Sequence, residues 1–188
     1  MSTLVSTEAV TIPTGTWAVD PVHSSVGFAV THLGVSTFRG TFGAFDGSLV
    51  TDEGAIVETE GTVQLESVAV GDEQLKGHLL SDDFFGADAF PAATFASTHA
   101  EQAPDGSVVL SGDLTLRAVT LPVTLTGSIQ GVGPDAYGNI RLGLAATGTL
   151  DRTAYGVDWN VELDTGAPML SESVALTFDV SAVLEGPA

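Results

Sequence analysis

A chain of 188 residues, 44% hydrophobic and 15% charged, has apolar material for one sizeable core and asks for no second domain. Five Lys and Arg stand against 24 Asp and Glu, a net charge of −19 that repels phosphate backbones and anionic lipid surfaces and so argues against nucleic acid as a partner. The absence of cysteine removes disulfides, thiolate metal sites and cysteine nucleophiles.

The N-terminal stretch lacks a basic n-region and an apolar h-region, and no run approaches the ~18 apolar residues of a membrane span. The expectation is a cytoplasmic protein without stable membrane insertion. Residues 1–11 read as a disordered segment, and residues 12–188 as a single domain.

Period-two alternation starts at Thr16 to Asp20 and is clearest where Val26, Phe28, Val30 and His32 alternate with Gly27, Ala29 and Thr31, a strand with one bulky face. Phe38 to Val50 reads as the next strand. Val57, Thr59, Gly61, Val63 and Leu65 then alternate with Glu58, Glu60, Thr62, Gln64 and Glu66, placing acids in water and the apolar side inward.

Asp72 to Phe85 departs from the strand pattern. Leu75, Leu79 and Leu80 fall at i, i+4 and i+5 behind Asp72, a capping residue. The spacing predicts a short helix interrupted near Ser81 and Asp82, with a second turn over Asp82 to Phe85. Strands resume at Ala93 to His99, Val108 to Leu116, Leu121 to Ile129, Leu142 to Leu150 and Val174 to Ala182. Roughly eight or nine antiparallel strands with one or two short helices make an all-β fold, a sandwich or a closed barrel, which periodicity alone does not separate.

Four histidines, His23, His32, His78 and His99, form no H-x-H or H-x-x-x-H pair, so metal binding is not expected. No G-x-S-x-G turn is present, and Ser24 points away from His23 on an extended strand, so a hydrogen bond shaping the turn after Asp20-Pro21 is the better role for His23. Arg152, directly after Asp151, either ties a loop or offers a donor to a ligand. The aromatic set Trp17, Phe28, Phe38, Phe42, Phe45, Phe84, Phe85, Phe90, Phe95 and Phe178 fills a core. Alternatively, with Gly61, Gly112, Ala146 and Gly148 on inward faces, it surrounds a ligand space.

Four stretches carry a family resemblance. They are Trp17 to Gly34 with Phe38-Arg-Gly-Thr-Phe42 and Phe45-Asp-Gly-Ser-Leu49; His78 to Phe85 with Phe90 to Thr98; Gly112 to Leu116 with Val119-Thr and Pro122-Val; and Leu150-Asp-Arg-Thr-Ala-Tyr-Gly156. Together they resemble the YceI family, with departures at Gly77, where an acid is common, and at Leu121, where Lys is frequent. The resemblance implies an extended lipocalin-like antiparallel β-barrel with a helix beside it. Its interior would bind polyisoprenoids or other long-chain lipids, isoprenoid quinones and fatty amides included, with no catalytic cofactor.

On that reading the alternating inward positions Phe28, Val30, Phe42, Val63, Leu114, Leu125, Leu144 and Phe178 contact the ligand's tail, and His32 and Arg152 stand at its head group. The chain is then a binding protein and not an enzyme, and a barrel edge makes a homodimer plausible. The alternatives are an enzyme acting on a lipid-like substrate with His23 or His32 as acid or base, and a ligand-free, stress-related structural protein with a solid core.

Overall fold

The computed structural model describes residues 12–186; the expected disordered segment 1–11 and the last two residues lie outside the described residues. Eleven strands and one helix follow in chain order: β1 (Gly15–Val19), β2 (Ser25–His32), β3 (Ser36–Phe42), β4 (Phe45–Asp52), β5 (Ala55–Gln64), β6 (Val68–Ala69), α1 (Glu73–Leu80), β7 (Ala92–Gln102), β8 (Ser107–Leu116), β9 (Val119–Pro134), β10 (Ile140–Asp151) and β11 (Leu170–Gly186).

The 17-residue β11 organises the barrel. Its C-terminal part, Ala182 to Gly186, pairs with β1, and Val174 to Asp179 pair with β2. The strands β1 and β2 are therefore successive segments along one neighbour. The order β1-β4-β5-β7-β8-β9-β10-β11, with β11 returning to β1, closes an eight-stranded antiparallel barrel, and β2, β3 and β6 extend its wall along β11. Closure leaves those eight strands no free edge.

The corner between β1 and β2 is held by Asp20. Its carboxylate accepts from Val22 N at 3.0 Å and Arg141 Nη1 at 2.7 Å and pairs with His23 Nδ1 at 2.7 Å. Arg141 also donates through Nε to Asp135 at 2.9 Å. Arg141, then His23, hold the Asp20 carboxyl well below the usual carboxylate range, and Asn139 with Arg141 does the same for Asp135. Ser24 Oγ accepts from Ser181 N at 2.9 Å, so this serine secures β11.

Two local expectations change, and the break expected after the helix is met. The stretch Phe38 to Val50 is not one strand but two, broken at Gly43 and Ala44, where Gly43 N donates to Ser67 O and Gln64 N to Ala44 O. That break lets β3 pair with the unforeseen β6 while β4 turns into the barrel. Val57, expected inward, is exposed: a register shift pairs Val50 with Glu58 and Thr51 with Ile56, so the extra residue swings out and Ile56 is buried instead. The helix is confined to Glu73–Leu80, with Asp72 Oδ1 accepting from Leu75 N at 2.8 Å, and residues 82–85 form turns.

Two apolar clusters fill the ends. One gathers Ile12, Trp17, Leu49, Ile56, Val108, Leu110, Leu142, Leu144 and Ala182, where the fully buried Trp17 donates to Thr51 Oγ1 at 2.8 Å. The other gathers Leu65, Val68, Leu79, Phe84, Leu116, Tyr155 and Val157 around α1 and the loop after β10. Leu114 packs against both.

Candidate functional site

Between the two clusters the barrel is hollow. Alternation puts Val26, Phe28, Val30 and His32 of β2 and Val174, Leu176, Phe178 and Val180 of β11 on one inner face, and all of them line a cavity of about 600 Å³. The expected tail positions Phe28, Val30, Phe42, Val63, Leu114, Leu125, Leu144 and Phe178 line this one cavity, and so do His32 and Arg152. The volume falls within the usual range for small-molecule sites.

The small inward residues divide into two kinds. Gly61 and Ala146 line the cavity. Gly112 and Gly148 do not: a Cβ on Gly112 would stand 2.6 Å from the Phe95 ring, and one on Gly148 2.6 Å from Leu125 Cδ2. These two glycines make room for neighbouring side chains and not for a ligand.

Aromatic rings form much of the wall. Phe28 meets Phe38, Phe42 and Phe85 at centroid distances of 6.2, 5.7 and 6.2 Å. His78 of α1 lies edge-on to both Phe84 and Trp159, at 4.9 and 4.8 Å. The sequence pattern missed Trp159, Met169 and Leu170, since residues 157–169 have no periodicity. Leu75 and Leu79 also line the cavity, and the i, i+4 stripe of α1 was the available signal for a helix covering the barrel.

Arg152 is 5% exposed and ties a loop, the first of its two expected roles. Its Nε donates to Ser171 O at 2.9 Å, and its Nη1 to Val157 O at 2.6 Å and Trp159 O at 2.9 Å, tying the loop after β10 to β11. Its Nη2 is buried without a hydrogen-bond partner. Burial draws the guanidinium below its ordinary pKa, while Glu172, Asp151 and Asp158 act against that from a distance. His32 belongs to the same end, because it pairs with Leu170, next to Ser171.

His23 sits elsewhere, half of a pair with Asp20 at the β1–β2 corner, and it is not part of the cavity wall. Among the described residues no three His, Cys, Asp or Glu side chains converge as a metal site.

A family model described as a YceI-like domain matches residues 17–182. The chain belongs to the YceI-like family. Curated YceI relatives include the UPF0312 protein plu2095 of Photorhabdus laumondii, 34% identical over 165 residues, 87% of this chain and 82% of the relative. Protein YceI of Shigella flexneri is 36% identical over 163 residues, 86% of this chain and 82% of that protein. Among solved structures, Burkholderia cenocepacia BcnA superimposes with a TM-score of 0.75 at 21% identity, covering 87% of this chain and 98% of BcnA. A polyisoprenoid binding domain from Saccharophagus degradans gives 0.66 at 15% identity, covering 92% of this chain and 99% of that domain. At these identities the solved YceI-type structures establish the lipocalin-like barrel fold.

Proposed function

We propose that the chain binds one long-chain isoprenoid or similar lipid, such as an isoprenoid quinone, inside the barrel, to store, carry or sequester it. The observation that carries this reading is the continuous apolar cavity lined by all eight expected tail positions together with His32 and Arg152. The tail lies among Phe28, Val30, Phe42, Val63, Leu114, Leu125, Leu144 and Phe178. The head group lies toward His32 and Arg152, where the unpartnered Nη2 offers a hydrogen bond to an acceptor oxygen. The polyisoprenoid-binding relative of the same fold supports the ligand class.

Magnitudes suit this role. Burying about 20 methylene equivalents at ~0.8 kcal/mol each gives roughly 16 kcal/mol, against an association cost on the order of 4 to 15 kcal/mol. Few specific polar contacts are needed, in keeping with binding and not catalysis. Uptake of an isoprenoid quinone from detergent micelles, read by absorbance after removal of excess micelles, tests the reading. Stoichiometric uptake supports it, and none contradicts it.

A further inference from the structure

Seven large apolar side chains are exposed among the described residues, and three of them, Leu33, Val35 and Val161, sit on two loops stitched together. Leu33 N donates to Met169 O at 2.7 Å, and Met169 N to Val161 O at 2.8 Å. Singly scattered exposed apolar residues need no explanation, but a group beside a cavity does. Met169 lines the cavity, as do His32, Ser36 and Thr37, and Ser36 and Thr37 are themselves exposed, so the cavity reaches the surface at this rim.

The β2–β3 turn breaks its own local rule. Leu33 (φ 56°) and Gly34 (φ 68°) are the central residues of a tight turn closed by Val35 N donating to His32 O at 3.2 Å. Two left-handed residues favour Asn-Gly or Asp-Gly, and a leucine there is strained. The left-handed non-glycine residues of the other described turns are polar or small. The β4–β5 turn uses Glu53 and Gly54, and the β8–β9 turn uses Ala118 and Arg117, which donates to Phe84 O at 2.9 Å and Gly156 O at 2.7 Å. Leu33 alone among them is large and apolar, and it stays 39% exposed, beside Val35 at 83%.

We infer that this rim docks on a zwitterionic lipid bilayer, from which the cavity takes its ligand. A long apolar chain resides in a bilayer and not in water, and the rim is continuous with the mouth that would receive it. Charge selects the lipid: residues 158–172 carry Asp158, Glu162, Asp164 and Glu172 and no Lys or Arg, on a chain of net charge −19. Arg39, beside Thr37, opposes them at the surface, and Arg152, at the same end, is buried. An anionic surface therefore repels this rim, whereas a phosphatidylcholine surface accepts its side chains to headgroup depth. The inference rests on the cavity reading for what is transferred, but not for the contact itself.

The chain has no cysteine, so Val35→Cys and Tyr137→Cys each provide a unique attachment point for a polarity-sensitive fluorophore. With ligand-free phosphatidylcholine vesicles, the label at position 35 shifts to the blue and the label at position 137 does not, and added phosphatidylglycerol weakens the shift. No shift at position 35, or an equal one at both, overturns the inference. A shift that grows with protein concentration in the absence of vesicles also overturns it, in favour of a second copy of the chain.

In parallel, a Leu33→Asn/Val35→Thr/Val161→Thr variant, whose Asn suits the turn, loads isoprenoid quinone from detergent micelles as fully as the parent. From phosphatidylcholine vesicles it loads at least about tenfold more slowly, because apolar contact with the interface is lost. Equal rates from vesicles overturn the docking role. Failure of both proteins to load from micelles contradicts the cavity reading alone, and the label at position 35 still decides the rim.

Discussion

The ring of Phe28 lies directly on Gly40, its cross-strand partner: a Cβ on Gly40 would stand 2.6 Å from ring atoms Cε1 and Cζ. This contact sets how far Phe28 stays out of the cavity. A Gly40→Ala substitution pushes the ring toward Phe38, Phe42 and Phe85. Overpacking of this kind costs about 1–3 kcal/mol, read as a lowered denaturant midpoint, and quinone binding weakens with it in titration.

Gly61 offers the opposite test. A Cβ there meets only Asp46 O at 3.5 Å, an ordinary contact, and the position faces the cavity. Gly61→Leu fills ligand space without displacing backbone. Stability holds or rises by up to about 1 kcal/mol as strand glycine is removed. Quinone affinity falls at least about tenfold, or ~1.4 kcal/mol. Denaturation and titration on the same sample show the two effects diverging.

Arg152 joins the β10 end to β11 through three backbone carbonyls. Arg152→Met leaves the carbonyls of Ser171, Val157 and Trp159 without this donor, at a cost of about 3 kcal/mol or more. Arg152→Lys keeps the charge but not the planar fork, and recovers only part of that loss. Chemical denaturation of the ligand-free forms gives the order parent, Lys, Met from most to least stable.

The corner cluster fixes a pH response. Because Asp20 and Asp135 are held below the unfolded value of 3.8, the unfolded state takes up protons first as pH falls. Their contribution to stability is complete above that value and is lost as pH drops below it toward the depressed folded values. Asp20→Asn lowers stability at neutral pH and flattens the dependence below about pH 4, measured as denaturant midpoints across an acid series.

Much of this was legible in period-two alternation. Val26 to His32 and Val174 to Ala182 state their inward faces directly, and the eight tail positions follow from the same pattern. Periodicity left sandwich and barrel open, since closure depends on β11 pairing with both β1 and β2, more than 130 residues away in sequence. It also misjudged Val57, because a one-residue bulge swings Val57 out and puts Ile56 inward while Thr59, Gly61 and Val63 keep their faces. Trp159 and Met169 were invisible because the loop bearing them is placed by Arg152 and by Leu33, through contacts with no sequence periodicity. Gly112 and Gly148 looked like ligand space, and only the packing of Phe95 and Leu125 against them shows otherwise.

Native mass spectrometry of gently purified protein bears most directly on a lipid-filled barrel. A lipid-filled barrel gives a species heavier than the chain by one long-chain lipid, reduced to the apo mass by extraction into organic solvent. Apo mass alone, together with no mass gain after incubation with an isoprenoid quinone, would contradict it and leave a protein with a solid core.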